Sequence, residues 1–201
     1  MHVHLLNAGS TLRDGTPLVE ETIVPLDGDL SKVVHRYVKD ATFDHGRPIR
    51  TEHVPTIWSR APSRNPIRDV MRAEKSALFV GPRLRDLTEG LEPSVHQFLP
   101  ASLTTGGETV AEMSYFVVCT RLDALDPTAC VPPIEPGARR FQGVRRPGDK
   151  LVFDARKVAG HHVFHDLRSV GRFISQELRD AIEASGIEGV DFGTPIQMSH
   201  I

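Results

Sequence analysis

Short apolar runs separated by turns dominate the hydrophobic pattern of the first half of the chain. Val3–Leu6 and Thr22–Leu26 are runs typical of β-strands. Apolar residues recur at helical spacing in Leu30–Val38, which predicts a helix. Between residues 46 and 66, four prolines surround Trp58. Because proline removes a backbone donor and disfavours helix in the preceding residue, we predict loop or edge structure in this segment.

Strand-like runs and two short helices make up the second half. Ala77–Val80 predicts a strand, and Arg83–Glu89 predicts a helix that follows Gly81-Pro82. A second helix is predicted from Ser175, its N-cap, to Ser185. Further strands are predicted at 95–101, 114–120, 150–154, 162–165 and 187–192, with a turn at 105–107. Since strands and helices do not alternate regularly, we predict a single α+β domain with a mixed or antiparallel sheet and a few short helices.

Two segments of the chain repeat each other. Phe79–Glu89 and Phe173–Glu183 are identical at five of eleven aligned positions, and each reads as a strand, a cap and a helix. Either an internal duplication or shared strand–helix signals would produce this match. In both cases we expect the two units to make equivalent packing contacts.

Composition restricts the class of protein. The 201 residues are 39% hydrophobic, enough to bury one sizeable core. Two cysteines, Cys119 and Cys130, are too few for a disulfide framework. No apolar run approaches the length of a membrane span, and the N-terminal residues lack the basic and apolar parts of a secretion signal. We therefore expect a cytoplasmic protein without a membrane partner.

Charge is balanced in total but uneven along the chain. The net charge of -2 disfavours a dedicated nucleic-acid-binding protein. Residues 47–85, however, carry nine bases against three acids, a net of +6, whereas residues 14–44 carry seven acids against three bases. Ordinary interleaved surface charge is one interpretation, and a patch for a charged partner is the other. An anion- or nucleic-acid-binding module on 47–85 stays as an alternative function.

Histidines form the densest cluster of potential metal ligands. His161, His162 and His165 stand close together, with Asp166 next to them. The pattern predicts a strand, however, and no glutamate supplies the general base of a His-Glu-x-x-His site. We interpret these histidines as structural or partner-facing and expect no metal and no cofactor. A metal-dependent hydrolase that uses them is the alternative.

Other candidates for catalysis are weak. Cys119 lies in an apolar strand pattern, where a free cysteine behaves as a small buried hydrophobe. Asp123 and Asp126 stand where paired carboxylates could do acid–base work, but a turn-forming or capping role fits them better. No nucleophile elbow, phosphate loop or dinucleotide fingerprint occurs. We therefore predict that the protein is not an enzyme and has no catalytic residues.

Several motifs follow one another between about residues 71 and 192. They are Leu78–Leu84, Phe98–Pro100, Tyr115–Val118, Leu122–Asp126, His162–Phe164, Phe173–Leu178 and Gly186–Phe192. In their order the chain resembles immunity protein family eleven, cytoplasmic antitoxins encoded beside the polymorphic toxins of bacteria. The resemblance implies that the protein binds and neutralises a cognate toxin, through contact with the toxin's C-terminal domain, and it implies no catalytic residue or cofactor. It divides one domain into a variable N-terminal portion, 1–70, and an immunity-type core, 71–201.

A partner surface is then expected where the resemblance is weak, in residues 1–70 and 131–149. Tight protein interfaces rest on a few aromatic and arginine anchors. Trp58, the single tryptophan, stands near Arg60, Arg64 and Arg68, so we predict these four as toxin-binding residues. The alternative for Trp58 is packing in the core. Because the surrounding segment is basic, we expect the toxin to present an acidic surface to it.

Overall fold

The fold is described from a computed structural model over residues 2–12, 14–29, 48–49, 51–73, 77–138, 141 and 147–199. The helix expected at Leu30–Val38 lies outside these residues. Within them the strands are β1 (His2–Leu5), β2 (Asn7–Ala8), β3 (Ile23–Pro25), β4 (Ile57–Arg60), β5 (Val70–Arg72), β6 (Leu78–Val80), β7 (Gln97–Thr105), β8 (Glu108–Val117), β9 (Arg121–Leu122), β10 (Val152–Asp154), β11 (Val163–Asp166), β12 (Phe173–Ser175), β13 (Val190–Asp191) and β14 (Ile196–Ser199). The helices are α1 (Pro82–Leu91), α2 (Ala155–Val158) and α3 (Gln176–Ala184).

These strands form two six-stranded sheets and a two-stranded ribbon. The first sheet has the order β10-β14-β1-β12-β11-β9, the second has the order β3-β4-β7-β8-β6-β5, and the ribbon pairs β13 with β2. Most pairs are antiparallel, but β10 runs parallel to β14, β11 to β9, and β4 to β7. Mixed sheets with a few short helices confirm the predicted single α+β domain. No helix among the described residues is both long enough and apolar enough to cross a membrane.

The hairpin β7–β8 is the longest paired segment. It closes at Gly106 and Gly107, whose positive φ angles of 62° and 88° suit glycine, and this confirms the predicted turn. Both strands extend further toward the turn than predicted, to Thr105 and Glu108. This end of the hairpin faces solvent, so its strands contain polar residues such as threonine and glutamate. The pattern of apolar residues therefore did not predict these parts of the strands.

The prediction of loop or edge structure between residues 46 and 66 is wrong for β4. It lies inside the second sheet, antiparallel to β3 and parallel to β7. Pro55 and Pro62 flank β4 without entering it. No ladder hydrogen bond is therefore lost to a missing N–H, which is why a proline-rich segment still supplies an internal strand.

The two repeated segments adopt the same local structure. Each is a strand followed directly by a helix, β6 with α1 and β12 with α3, as predicted. Ser175 caps α3, since its Oγ accepts a hydrogen bond from the Leu178 N–H at 3.1 Å, whereas Gly81 at the start of α1 offers no side-chain cap. The two helices pack against each other, and Leu84 and Leu178 are fully buried in one core. Their origin by duplication stays a prediction.

Among the described residues, three clusters of buried apolar side chains form the interior. The first, around Trp58, Phe79 and Tyr115, fills one face of the second sheet. The second contains side chains from both sheets and from α1 and α3, so it joins the two halves. The third, around Phe153, Phe164 and Phe173, lies on the first sheet under the 122–138 loop.

Candidate functional site

The two edge strands of the second sheet approach each other. Strands β3 and β5 stand at opposite ends of the sheet order. Nevertheless, Glu21, just before β3, forms an ion pair with Arg68, just before β5, and residues of both edges line one cavity of about 600 Å³. The sheet therefore curls around its core, and we call this opening between its edges the seam cleft. It is lined by residues 8–10, 18–24, 68, 72 and 73.

A buried charge cluster lies beside the seam cleft. Glu21 accepts hydrogen bonds from Arg60, through Nε at 2.9 Å and through Nη2, and from Nη2 of Arg68. All three side chains are more than nine-tenths buried. Burial alone would raise the pKa of Glu21, but the two guanidinium groups outweigh it and hold this pKa below the usual value. One carboxylate thus stands between two permanent cations, and the cluster carries a net charge of +1.

Asn65 fixes the segment that carries Glu21. Its Nδ2 donates to the Val19 carbonyl at 2.7 Å, and its Oδ1 accepts from the Val19 N–H at 3.1 Å. Nη2 of Arg60 also donates to the Asn65 carbonyl at 2.6 Å. Residues 18–22, which we call the strap, are therefore held on the loop that follows β4. A second cavity, of about 430 Å³, lies on the strap's other side, against residues 61–64.

The four predicted toxin-binding residues lie in this region but differ in exposure. Trp58 is 0% exposed, and its ring packs edge-to-face on Phe79 with the ring centroids 4.7 Å apart. Its Nε1 donates a hydrogen bond to the Pro55 carbonyl. Trp58 therefore packs in the core, which was the alternative interpretation of this residue. Arg60 and Arg68 are inside the charge cluster. Arg64 is exposed and lines the second cavity. Contact of these residues with a toxin stays a prediction, and in this structure only Arg64 presents its side chain to solvent.

Two donors of Arg68 have no partner among the described residues. Its Nη2 is bound by Glu21, while Nε and Nη1 are buried without a hydrogen bond. Buried guanidinium donors without a partner are rare, because the lost hydration is not replaced. Arg68 also lines the seam cleft, so this arginine borders a space that another molecule could enter, while Nε and Nη1 themselves are covered.

Folding pairs part of the positive charge counted in residues 47–85. Arg83 contacts Asp69 and the Ser185 carbonyl, and Arg85 contacts Asp86. Together with the two arginines on Glu21, at least four of the six bases described in this segment have a carboxylate partner. The count of +6 therefore overstates the exposed charge.

The histidine cluster does not assemble a metal centre in the described part of the chain. No group of three or more His, Cys, Asp or Glu side chains there is arranged to hold an ion. Nδ1 of His162 is 3.0 Å from Ser175 Oγ, and His165 is buried in β11. Nδ1 of His161 is 3.9 Å from Glu92. The strand begins at Val163, later than the predicted residue 162.

Glu92, which the sequence analysis did not single out, connects the elements around these histidines. Its Oε2 accepts from Nε2 of His96 at 2.9 Å and from the Val163 N–H at 2.8 Å. Nδ1 of His96 in turn accepts from the Cys119 N–H at 3.1 Å. Burial works to raise the pKa of Glu92, yet these hydrogen bonds outweigh it and lower the pKa. The chain of contacts ties the end of α1 to both sheets, which is a structural role.

The remaining candidates for catalysis also have structural surroundings. Burial raises the pKa of the Cys119 thiol, which keeps it protonated and a poor nucleophile. Asp126 accepts from Ser199 Oγ at 2.6 Å and from the Thr128 and Ala129 N–H groups, and so caps a turn. Asp123 pairs with Arg168 at the surface. The two carboxylates thus have separate partners.

No curated protein matches the chain. The profile of an immunity protein family, Imm11, matches residues 19–195, which extends the likeness toward the N-terminus by about fifty residues beyond the motifs that start near residue 71. The match includes residues 19–22 of the strap, β3, β4 and most of the residues that line the seam cleft, together with both strand–helix units. Since it spans most of the sequence, the chain belongs to the immunity protein family Imm11.

Proposed function

We propose that the protein neutralises a cognate toxin by binding directly to the toxin's C-terminal domain. Membership of an immunity protein family carries this proposal, because it supports an immunity role and implies a toxin as the partner. We propose that the protein binds the toxin in the cytoplasm of the toxin-producing cell and of its sister cells. No cofactor takes part in it.

The strap supplies a surface of the composition that protein interfaces use. Val19 in the strap is 65% exposed, and Arg64 borders the cavity beside the strap. Arginine is a frequent anchor of tight complexes, and contacts around such an anchor exclude water from it. Hydrogen bonds between Asn65 and Val19 hold the strap in place before a partner arrives, which lowers the entropy that binding costs. We assign Arg64 to direct toxin contact, with Arg60 supporting the strap from beneath and Trp58 anchoring β4. Arg68 supports the strap through Glu21 and also borders the seam cleft.

Co-expression tests the proposal. The probe is the C-terminal domain of the secreted toxin encoded beside this protein's gene. Cells that express this domain should survive only when the wild-type protein is present, and the two purified chains should form a complex in calorimetry. A wild-type protein that neither protects cells nor binds the domain would contradict the proposed function.

Arg64→Ala tests the assigned contact. Truncation of an interface anchor weakens binding by roughly tenfold or more, since such residues contribute over about 1.4 kcal/mol. Arg85→Ala is the matched control, because Arg85 is a half-exposed arginine on α1, away from the strap. Equal toxin affinity of both variants would remove Arg64 from the interface while leaving the function intact.

A further inference from the structure

The edge of β3 limits how a partner enters the seam cleft. The Ala61 N–H donates to the Thr22 carbonyl, and the Leu26 N–H donates to the Ile57 carbonyl. Since hydrogen-bonding directions alternate along a strand, Ile23 and Pro25 direct their backbone groups away from β4. Pro25 has no N–H to offer there. The edge is therefore poorly suited to pairing with an added strand, and a partner must use side chains.

The charge of the cluster beside the seam cleft determines which partner side chain would bind there. The cluster of Glu21, Arg60 and Arg68 is buried with one positive charge in excess. An isolated buried charge is costly, and an acceptor of opposite charge that also satisfies the free N–H groups removes this cost. Nε and Nη1 of Arg68 are such groups. A carboxylate supplies both the negative charge and the acceptor atoms.

Burial decides the shape of the partner. Arg68 is only 7% exposed, so a flat surface laid over the strap would not reach its free donors. The cleft of about 600 Å³ has room for a protruding loop. A side chain at the tip of such a loop would enter between the edges of the sheet and displace the atoms that cover Nε and Nη1.

We propose that the seam cleft receives an aspartate or glutamate side chain from a protruding loop of the toxin, whose carboxylate accepts hydrogen bonds from the free donors of Arg68. This inference rests on the proposed function and specifies how the partner is recognised. It also supplies a partner for Nε and Nη1 of Arg68, which have none among the described residues.

Arg68→Met is the decisive variant. Methionine keeps an unbranched stem beside Gly189, where the aliphatic part of Arg68 packs, but removes the guanidinium. Loss of one partner of a buried charge pair should weaken toxin binding by at least about 30-fold, measured by calorimetry. Arg85→Met serves as the control for loss of a surface arginine. If Arg68→Met binds the toxin domain as tightly as wild type, the inference is wrong, and the proposed function stands because the complex still forms.

A measurement on the wild-type protein covers the case in which Arg68→Met fails to fold. With ¹⁵N-labelled arginine, the Nε–H signal of Arg68, assigned by its absence in Arg68→Lys, should shift on addition of the toxin domain. It should not shift with a toxin domain in which the acidic residues of the protruding loop are changed to Asn or Gln. Acetate and inorganic phosphate are the comparison probes. Saturation of the same shift by either ion at millimolar concentration would identify a site for free anions and overturn the inference, as would an unchanged signal with the intact toxin domain.

Discussion

At the scale of single residues, Glu21 compensates much of the charge buried between the sheet edges. Its carboxylate is the acceptor for both Arg60 and Arg68. The neighbouring Glu20 is exposed and forms part of the same strap. Two adjacent glutamates thus differ in role because one side chain is turned inward and the other outward.

Glu21→Ala should destabilise the fold by about 3–5 kcal/mol, because it leaves two buried guanidinium groups without their acceptor. Urea unfolding followed by the fluorescence of Trp58, the single tryptophan, measures this. Glu20→Ala is the control and should change the free energy of unfolding by less than about 0.5 kcal/mol. Equal stability of the two variants would show that the ion pairs do not hold the seam.

Asp126 predicts a dependence of stability on pH. The hydrogen bond from Ser199, helped by those from Ala129 and Thr128, lowers the pKa of Asp126 from 3.8 to about 2. Because the folded-state pKa is depressed, its contribution is fully present above the unfolded pKa near 3.8 and is lost as the pH falls toward 2. The free energy of unfolding of wild type should exceed that of Asp126→Asn by on the order of 2 kcal/mol at pH 6. The difference should shrink steadily between pH 4 and pH 2 in denaturant titrations; a constant difference over this range contradicts the assignment.

At the scale of elements, Gly189 lets the β13–β2 ribbon approach β5. The Gly9 N–H donates to the Gly189 carbonyl at 2.8 Å, and the Val70 N–H donates to the Glu188 carbonyl at 3.1 Å. A Cβ on Gly189 would lie 2.3 Å from the Val70 carbonyl oxygen, and its φ is +82°. Both the close contact and the left-handed backbone require glycine.

Gly189→Ala should therefore cost about 3 kcal/mol, the sum of backbone strain and a clash with a neighbouring strand. Gly137→Ala separates the two effects, since Gly137 has a φ of +80° but nothing within 4 Å of an added Cβ. That control should lose only about 1 kcal/mol from strain. Thermal unfolding of the two variants gives the comparison, and similar melting temperatures would exclude the clash.

At the scale of the whole molecule, the central core makes the two sheets one folding unit. The cluster that contains Leu84 and Leu178 includes residues of both sheets and both longer helices. The hydrogen bonds that link Glu92, His96, Cys119 and Val163 add polar contacts between the two sheets and the end of α1. Neither sheet can therefore lose its packing without exposing part of the other's core.

Leu178→Ala should lower the stability of both sheets together by about 2–5 kcal/mol, the cost of a cavity in a core. Trp58 fluorescence reports on the second sheet, and amide hydrogen exchange in β1 and β12 reports on the first. The two probes should give the same free energy of unfolding in wild type and in the variant. A loss confined to the first sheet would show that the sheets unfold separately.

The sequence by itself determined the local elements whose signals lie within a few residues. The Gly106-Gly107 turn, the two strand–helix units and the Ser175 cap follow from glycine, proline and serine chemistry and from apolar spacing, and the order of motifs indicated the family. These features depend on residues that are close together in the sequence, so they can be predicted from the sequence alone.

Which charged side chains form ion pairs became clear only from the tertiary structure. Arg60 and Arg68 recur with Arg64 at a spacing of four, yet they turn inward because the curled sheet brings Glu21 to them from about forty residues away. The same curl creates the seam cleft, and it leaves Arg64 exposed while burying Trp58. Pairing between distant segments has no signature in local periodicity, because it depends on which sheet edges the whole core brings together.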